Sequence, residues 1–393
     1  MKRVIWGCLG ACVILTAGCA SVGHEPAGGT SPAQGGNGTD TALRRAITEL
    51  VAMPGGPPGV AVVVQRNGNR EFFAGGVSEI GGRVPRIDDH MRAASVTKAF
   101  TAATALVLVD KGLLSLDDTV GRRLPQSPAR WHDITVRELM AHTSGLPDYI
   151  HTDAFVKDFT ASPDRAPSPQ TLLGYIRNEP LAFRPGTEYA YSNSDNIAVG
   201  LIIQAVTKQP FEQVLQRRVV NPLGLHGTSL PADDSISAPF MHGYDIAPKT
   251  GQLEDITRGI ASGWAWASGG IVSTPADFNT FIRAYVSGRL ISNKTRTAWL
   301  QPFLPDSASD PNGPGFNSAG LSLFRYDARC GTVYGHTGNI FGYTQFAVST
   351  LDGSRSATVS INLQRTQDNE GQPARVFAGL IQVVQAAVCR ALA

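Results

Sequence analysis

The chain has 393 residues, of which 42% are hydrophobic and 17% are charged. This is the composition of a folded globular protein, and the length suits one large domain or two interlocked ones. The formal net charge is only +2, and no basic block would neutralise a run of phosphates. Nucleic acid is therefore not an expected partner. The sequence has no His-Glu-x-x-His, Cys-x-x-Cys pair or P-loop motif, so no metal or other cofactor is expected.

The N-terminus carries a targeting signal. Two basic residues precede an apolar stretch, residues 4–15, that is too short to span a bilayer. Small residues then stand directly before Cys19, an arrangement that resembles a bacterial lipobox. Residues 1–19 are therefore expected to be a lipoprotein signal peptide, with Cys19 lipidated at the outer face of the cell membrane. The alternative is an ordinary secretory signal cut nearby, and in both cases the mature protein is exported.

Residues 20–40 are rich in Gly, Ser and Pro, which is typical of a flexible linker, and a single domain is predicted over residues 41–393. Helical periodicity predicts a first helix from Thr41 to about Met53. A dense apolar run predicts a buried helix over residues 96–111, with Gly112 as its C-terminal stop.

Further elements follow from turn signals and apolar runs. Asn67-Gly68 predicts a hairpin between strands near 60–65 and 70–74, and Asp352-Gly353 predicts another between strands near 343–350 and 356–362. Shorter strands are predicted near 269–273 and 332–335, helices near 136–141, 170–178, 196–207 and 211–220, and a final helix over 374–390. Strands at both ends and helices between them predict an α+β fold. In this fold an antiparallel sheet built from both chain ends is flanked by helices, with a mostly helical insertion over about 130–255.

Two cysteines, Cys330 and Cys389, remain after the predicted signal peptide and lipid anchor are set aside. In an oxidising compartment such a pair favours a disulfide, and two separate buried thiols are the alternative. Because the bond would close a long loop, the chain-entropy model predicts a stabilisation of about 4 kcal/mol.

Ser95 and Lys98 form a Ser-x-x-Lys motif where the predicted buried helix begins. At positions i and i+3 the two side chains share one face of a helix. A serine hydroxyl becomes a strong nucleophile when a neighbour accepts its proton, and a buried lysine can do so once burial lowers its pKa. A chain of this length contains about one such spacing by chance, so the motif alone is more typical of an N-cap serine near a solvent-reaching lysine than of a catalytic pair.

Two further triplets change this interpretation. Tyr191-Ser192-Asn193 precedes a predicted helix of the insertion, and supplies a phenol that can share a proton and an amide that can hold a carbonyl group. The triplet His336–Gly338 borders a C-terminal strand, where a glycine permits close approach of a substrate. Taken singly, each triplet is typical of a turn or a strand end. Their conjunction with the Ser-x-x-Lys motif predicts one cleft between sheet and insertion.

The three motifs together resemble the penicillin-recognising serine enzymes, on the branch of class C β-lactamases and D-alanyl-D-alanine carboxypeptidases. The resemblance extends over about residues 42–390. Its supporting stretches are Met91–Lys98 (MRAASVTK), Ile134–Tyr149 (ITVRELMAHTSGLPDY), Arg184–Asn193 (RPGTEYAYSN), Trp264–Asp277 (WAWASGGIVSTPAD) and Cys330–Gly338 (CGTVYGHTG). His-Thr-Gly in place of Lys-Thr-Gly, Tyr-Ser-Asn and the cysteine pair are similar to the secreted DD-carboxypeptidases of filamentous soil bacteria.

The resemblance implies a β-lactamase/transpeptidase-like fold and an acyl-enzyme mechanism. Ser95 is the implied nucleophile and Lys98 its proton partner. Tyr191 is the implied general base in acylation or the proton donor to the leaving amine, and the first acceptor of the proton stays open. His336 is implied to tune Tyr191 and to relay a proton.

The resemblance also implies how substrate is held. The backbone N–H groups of Ser95 and Asn339 would form an oxyanion hole, in which one donor is typically worth about 3 kcal/mol. The other implied substrate contacts are Asn193 for a side-chain amide, Thr337 with Arg325 for the terminal carboxylate, Gly338 for close backbone approach and Trp264 as a pocket wall.

The sequence departs from the family pattern at two points. The DD-carboxypeptidases that the chain resembles have Thr after His-Thr-Gly, where this sequence has Asn339, and the segment before His336 is one residue shorter. Both differences bear on Arg325 and on carboxylate recognition, so peptidase and esterase activities stay open. The remaining tempting histidine, His142, is interpreted as structural because it follows a helix of the insertion.

The expected function is that of a monomeric serine D-alanyl-D-alanine carboxypeptidase that acts on peptidoglycan-type peptides and is acylated and inhibited by β-lactams. One alternative is an esterase or class C-type β-lactamase of the same fold. Another is a non-catalytic penicillin-binding or cell-wall-binding protein.

Overall fold

The computed structural model describes residues 35–247, 250–300, 304, 313, 316–365 and 371–393. The predicted signal peptide, the lipidation site Cys19 and the predicted linker up to residue 34 lie outside the described residues. Residues 35–40 were predicted as linker, and this is wrong, because they belong to the first helix, which begins at Gly35.

Helices and strands alternate unevenly along the chain. The helices are α1 (Gly35–Ala52), α2 (Thr97–Asp110), α3 (Val120–Arg123), α4 (Val136–Met140), α5 (Asp153–Ala161), α6 (Pro169–Gly174), α7 (Asn193–Thr207), α8 (Phe211–Leu215), α9 (Asn221–Leu223), α10 (Trp266–Gly269), α11 (Pro275–Ser287), α12 (Asn293–Trp299) and α13 (Gly371–Leu392). The strands are β1 (Gly59–Arg66), β2 (Asn69–Gly76), β3 (Met91–Arg92), β4 (Tyr244–Ile246), β5 (Leu253–Asp255), β6 (Val272–Ser273), β7 (Phe316–Ala319), β8 (Phe324–Ala328), β9 (Gly331–Ile340), β10 (Tyr343–Ser349) and β11 (Ser356–Ile361).

The principal sheet has seven strands in the order β2-β1-β11-β10-β9-β8-β7, and every neighbouring pair is antiparallel. Strand β1, from the start of the chain, pairs with β11, from its end. The predicted α+β fold, with one antiparallel sheet built from both chain ends, is therefore confirmed. The Asn67-Gly68 hairpin is confirmed as well, since both residues have positive φ values, 50° and 79°.

Helices α1 and α13 cover one face of this sheet. Their apolar residues form a single core with alternate residues of the central strands, including Leu43, Val62, Val359 and Val383. The segment Pro373–Leu392 is long and apolar enough to cross a membrane, but 56% of it is buried inside the protein, as in the core helix of a globular domain. The Cys330–Cys389 disulfide, predicted from the sequence, joins the turn before β9 to α13.

The opposite face of the sheet packs on a larger core formed by α2, α11 and the helical insertion. Helix α2 is central to this core, because every residue from Thr97 to Leu108 is buried. Gly112 has a φ of 69° just beyond the helix, as predicted for its C-terminal stop. The insertion therefore lies against α2, and the beginning of α2 faces the junction between insertion and sheet.

Several predicted elements differ in the structure. The strand predicted near 269–273 is confirmed only in part, because α10 extends to Gly269 and the extended residues are Val272–Ser273, which pair with Met91–Arg92 outside the main sheet. The helix predicted over 211–220 is interrupted, since α8 ends at Leu215 and a π-helical turn follows. Strands β7 and β8 and the β4–β5 hairpin were not predicted.

Candidate active site

Ser95 lies in a 3₁₀ turn, Ala94–Val96, between strand β3 and helix α2. Ala94 has a φ of 50°, in the left-handed region that favours glycine and costs other residues about 1 kcal/mol. A backbone hydrogen bond from Ala93 N–H to Ile271 O, 2.7 Å long, ties this turn to the segment before β6. The turn places Ser95 beside Lys98 of α2 and Gly338 of β9, and strained residues of this kind often serve function.

Lys98 is fully buried on the first turn of α2. Its Nζ donates to Ser95 Oγ at 3.2 Å, to Asn193 Oδ1 at 2.7 Å and to the backbone oxygen of Ser268 at 2.8 Å. Burial lowers the pKa of Lys98 to about 7, against the opposing effect of the carboxyl groups of Asp148 and Asp195. Near neutral pH the amine can therefore exchange a proton with the neighbouring hydroxyl.

Asn193 begins helix α7 and connects Lys98 to a buried carboxyl group. Its Oδ1 accepts from Lys98, and its Nδ2 donates to Asp148 Oδ2 at 2.8 Å. Burial raises the pKa of Asp148 above its ordinary value. The amide predicted to hold substrate is thus also part of the site's internal hydrogen-bond network.

Tyr191 is the most exposed residue of the cluster, with 37% of its surface accessible. Lys98 Nζ lies 4.8 Å from the centre of its ring, within the range of a cation–π contact. The ring of His142 packs against the same phenol, with 4.4 Å between ring centres. The tyrosine ring therefore contacts both the lysine and an imidazole that the sequence did not assign to the site.

His142 is buried and has a φ of 56°. Its Nδ1 lies 2.7 Å from Asp195 Oδ2, and Ser144 Oγ donates to the other oxygen of Asp195. Burial lowers the pKa of His142 to about 3 and raises that of Asp195 well above its usual value. Both shifts have the same cause, because burial disfavours the charged form of the imidazole and of the carboxyl group.

Strand β9 brings the third motif to Ser95. A Cβ atom on Gly338 would lie 3.0 Å from the backbone nitrogen of Ser95 and 2.6 Å from Ala93 O. Only a residue without a side chain fits between the strand and the nucleophile turn at this distance. The backbone of β9 beside Gly338 thus lies against the backbone of Ser95, as an oxyanion hole built from Ser95 and Asn339 requires.

His336 lies two residues before Gly338 and is 1% exposed. Its Nδ1 lies 2.6 Å from Thr337 O, and its ring packs edge-on against Phe324 with 5.0 Å between ring centres. Burial and, secondarily, the charge of Lys98 lower the pKa of His336 to about 3. At neutral pH this histidine is therefore an uncharged imidazole.

The side chain of Asn339 points away from the nucleophile. Side chains alternate along a strand, so a residue next to Gly338 faces the opposite side. Asn339 Oδ1 accepts from Thr344 Oγ1 at 2.8 Å, the residue opposite it in β10. Thr337 is likewise on that side, opposite Phe346. The change from Thr to Asn at position 339 therefore alters a side chain but leaves the backbone beside Ser95.

Two other predicted substrate residues have partners outside the Ser95, Lys98 and Asn193 network. Arg325 is in β8 opposite Tyr334, is 44% exposed and ion-pairs with Asp327 at 3.0 Å. Trp264 is 5% exposed, and its ring packs within 5.6 Å of Phe155 and Phe159. These positions leave Trp264 in an aromatic cluster of the insertion, and they do not bring Arg325 into contact with Ser95 or Lys98.

The sequence did not lead us to Asp148 or Asp195, and it led us to interpret His142, which packs against Tyr191, as structural. Each of these residues lies within or beside a stretch that carries the family resemblance. Only their burial distinguishes them from ordinary polar surface residues, and the sequence does not reveal which polar residues are buried. Asp148 directly follows the Leu-Pro pair of the 134–149 stretch, and Asp195 lies two residues after Asn193. Their proximity to a motif residue was the available signal.

A family model described as Beta-lactamase matches residues 43–380. Protein flp of Staphylococcus aureus strain MRSA252 is 30% identical over 210 residues, covering 52% of this chain and 41% of its own length. D-alanyl-D-alanine-carboxypeptidase/endopeptidase AmpH of Escherichia coli K12 is 26% identical over 258 residues, which cover 63% of each protein. The chain therefore spans less than two thirds of the length of these curated relatives.

Solved structures extend the likeness to nearly the whole described chain. A D-stereospecific amidohydrolase from Streptomyces sp. superposes with a TM-score of 0.76 and 28% identity, covering 89% of this chain and 98% of that one. The D-amino acid amidase of Ochrobactrum anthropi SV3 shares the fold, with a TM-score of 0.76 and 24% identity over 88% of this chain and 98% of its own. The match over residues 43–380 places this chain in the beta-lactamase family of serine hydrolases.

Proposed function

We propose that this protein is a serine D-alanyl-D-alanine carboxypeptidase that acts on peptidoglycan-type peptides through an acyl-enzyme on Ser95. The observation that carries the proposal is the 3.2 Å contact between Ser95 Oγ and the Nζ of the buried Lys98. An amine with a pKa of about 7 is matched to taking a proton from a serine at neutral pH. The names of the relatives AmpH and the Streptomyces amidohydrolase support an amide substrate built from D-amino acids.

The proposed reaction has two halves. Ser95 Oγ attacks the carbonyl carbon of the penultimate D-alanine while its proton passes to Lys98 or Tyr191. The backbone N–H groups of Ser95 and Asn339 stabilise the oxyanion that forms. The C–N bond then breaks, the amine of the terminal D-alanine receives the proton, and water later hydrolyses the ester to free Ser95.

Release of D-alanine from a diacetylated Lys-D-Ala-D-Ala peptide tests the substrate, and covalent labelling by a tagged penicillin tests the nucleophile. Wild type is expected to do both, and Ser95→Ala neither. Ser235→Ala, at an exposed serine, is the matched control and is expected to behave as wild type. Equal labelling of wild type and Ser95→Ala would overturn the proposal.

An esterase is the second candidate, because Arg325 is paired with Asp327 and the Asn339 side chain faces Thr344. Neither side chain is then placed to hold a terminal carboxylate beside Ser95. Cleavage of short-chain esters without D-alanine release would favour this alternative, and rapid nitrocefin hydrolysis would favour a β-lactamase. Peptidoglycan binding without turnover of any acyl donor would favour a non-catalytic binding protein.

We further propose that the protein is an exported monomer held at the outer face of the membrane by a lipid on Cys19. Cys19→Ser is expected to move the protein from the membrane fraction to the soluble exported fraction. An unchanged membrane fraction in that variant would exclude Cys19 as the anchor.

A further inference from the structure

A continuous chain of hydrogen bonds leads from the nucleophile to a buried carboxyl group. Lys98 Nζ donates to Ser95 Oγ and to Asn193 Oδ1, at 3.2 Å and 2.7 Å. Asn193 Nδ2 in turn donates to Asp148 Oδ2 at 2.8 Å. Neither the motifs nor the proposed mechanism uses Asp148.

The groups on either side of the Asn193 amide, Lys98 and Asp148, determine its orientation. An ammonium group has only donors and a carboxylate has only acceptors, whereas a carboxamide has an oxygen that accepts and a nitrogen that donates. Between a protonated Lys98 and an ionised Asp148, the amide satisfies both neighbours in one orientation alone. The reversed amide would place N–H groups against the ammonium and its oxygen against the carboxylate.

We propose that Asp148 is a positioning residue of the active site: it orients the amide of Asn193, so that the oxygen holds Lys98 against Ser95 and the second N–H stays available to substrate. This inference rests on the proposed acyl-enzyme function of Ser95. Asn193 is only partly buried, so one N–H of its Nδ2 group can bind a substrate carbonyl while the other donates to Asp148.

Asp148 also has a local structural role, which the test must separate from the proposed one. Its Oδ1 accepts from the backbone N–H of Ile150 at 3.3 Å and so caps the short 3₁₀ turn Tyr149–His151. Serine is a good helix N-cap, but its side chain is shorter than that of aspartate. Asp148→Ser therefore keeps the cap and removes the contact with Asn193.

Other ionisable groups surround Lys98 and stay in place in this variant. Asp195 and His142 approach from the insertion, His336 approaches from β9, and the phenol of Tyr191 contacts the ammonium. Loss of Asp148 therefore leaves the rest of the charge environment intact. The charge of Asp148 itself raises the pKa of Lys98, so rates are compared on the pH plateau above the Lys98 ionisation of each variant, where the difference reports on the Asn193 amide.

The experiment measures Ser95 acylation by a tagged penicillin and hydrolysis of a short-chain p-nitrophenyl ester. Asp148→Ser is expected to slow both by about 10- to 100-fold, the factor that corresponds to losing one hydrogen bond to a charged group. Asp148→Asn keeps an acceptor oxygen. Both rates of this variant are expected to be only about fivefold below wild type, because neutral acceptors form weaker hydrogen bonds than charged ones. Asp153→Ser, an exposed aspartate on the neighbouring helix α5, is the matched control and is expected to match wild type.

A double-mutant cycle distinguishes positioning from a structural effect. In an Asn193→Ala background, Asp148→Ser is expected to cause little further loss, because the group through which it acts is already gone. Full additivity of the two losses, or wild-type acylation in Asp148→Ser, would overturn the proposal. A wild-type enzyme that cleaves the ester but neither releases D-alanine nor reacts with penicillin would overturn the proposed function alone, since ester cleavage still tests Asp148.

Discussion

The Cα of Gly338 lies so close to the nucleophile turn that a Cβ there would be 3.0 Å from Ser95 N and 2.6 Å from Ala93 O. The second contact is with a backbone atom, so either β9 or the turn would have to move. Gly338→Ala is therefore expected to displace one oxyanion donor and to slow Ser95 acylation by about 100-fold. Stopped-flow labelling with a fluorescent penicillin measures this rate.

Gly174→Ala is the control for that substitution, because a Cβ at this exposed end of α6 would meet no atom within 4 Å. It is expected to leave acylation unchanged. A Gly338→Ala enzyme that acylates at the wild-type rate would show that the backbone of β9 is not part of the oxyanion hole.

The pKa of Lys98, lowered by burial to about 7, predicts the pH dependence of acylation. Below that pH the amine is protonated and cannot accept the Ser95 proton, so kcat/KM is expected to rise through pH 7 and to level off above it. Lys98→Arg places a group there that stays protonated, and is expected to lose about 10²- to 10⁴-fold in kcat/KM together with the rise near pH 7.

Lys111→Arg, at the exposed end of the same helix, is expected to keep the wild-type rate and pH profile. A Lys98→Arg enzyme that retained the rise near pH 7 would assign that ionisation to another group.

The sequence was sufficient for those elements whose own pattern determines them. The apolar run that became α2 and the Asn67-Gly68 turn are local signals, and both lie where predicted. Strand β8 was missed although its residues alternate between buried and exposed, because five residues give a weak period. The strand predicted near 269–273 is shorter in the structure because tertiary contacts determine the conformation of the residues before it: α10, which ends at Gly269, presents the Ser268 carbonyl to Lys98.

In the candidate site, too, local contacts could be predicted from the sequence and long-range contacts could not. The pairing of Ser95 with Lys98 follows from helical spacing, so it could be predicted from two residues. The roles of Asp148 and Asp195 depend on burial and on contacts between elements about 50 residues apart or more, which no local pattern encodes. The orientation of Asn339 was likewise unpredictable, because it is determined by its cross-strand partner Thr344.

His142 is expected to matter for activity although it was interpreted as structural. Its ring supports Tyr191, and its Nδ1 is the partner of the buried Asp195. His142→Asn removes the ring and is expected to reduce kcat/KM by about 10- to 100-fold and stability by about 1–3 kcal/mol, since the smaller amide no longer packs against Tyr191 and is a poorer partner for the buried Asp195 carboxyl group. Acylation kinetics and urea denaturation measure the two effects separately.

The control is His132→Asn, at a half-buried histidine of the insertion whose Nε2 lies 3.0 Å from a backbone oxygen, that of Ser127. It removes a comparable imidazole remote from Tyr191, and is expected to lower stability without changing acylation. A His142→Asn enzyme with reduced stability and unchanged kcat/KM would confine His142 to a structural role.

The Cys330–Cys389 disulfide closes a loop with a sequence separation of 59 residues. Cross-linking residues this far apart restricts the unfolded chain, so removing the bond in the double variant Cys330→Ser, Cys389→Ser is expected to lower the free energy of unfolding by about 4 kcal/mol. Urea denaturation measures the difference, and added reductant is the control, because it is expected to bring wild type to the stability of the variant.

Acylation is expected to persist in the double variant, since the bond joins the start of β9 to α13 while Gly338 lies near the strand's other end. Equal stability of the two proteins without reductant would mean that the bond does not form in the purified protein.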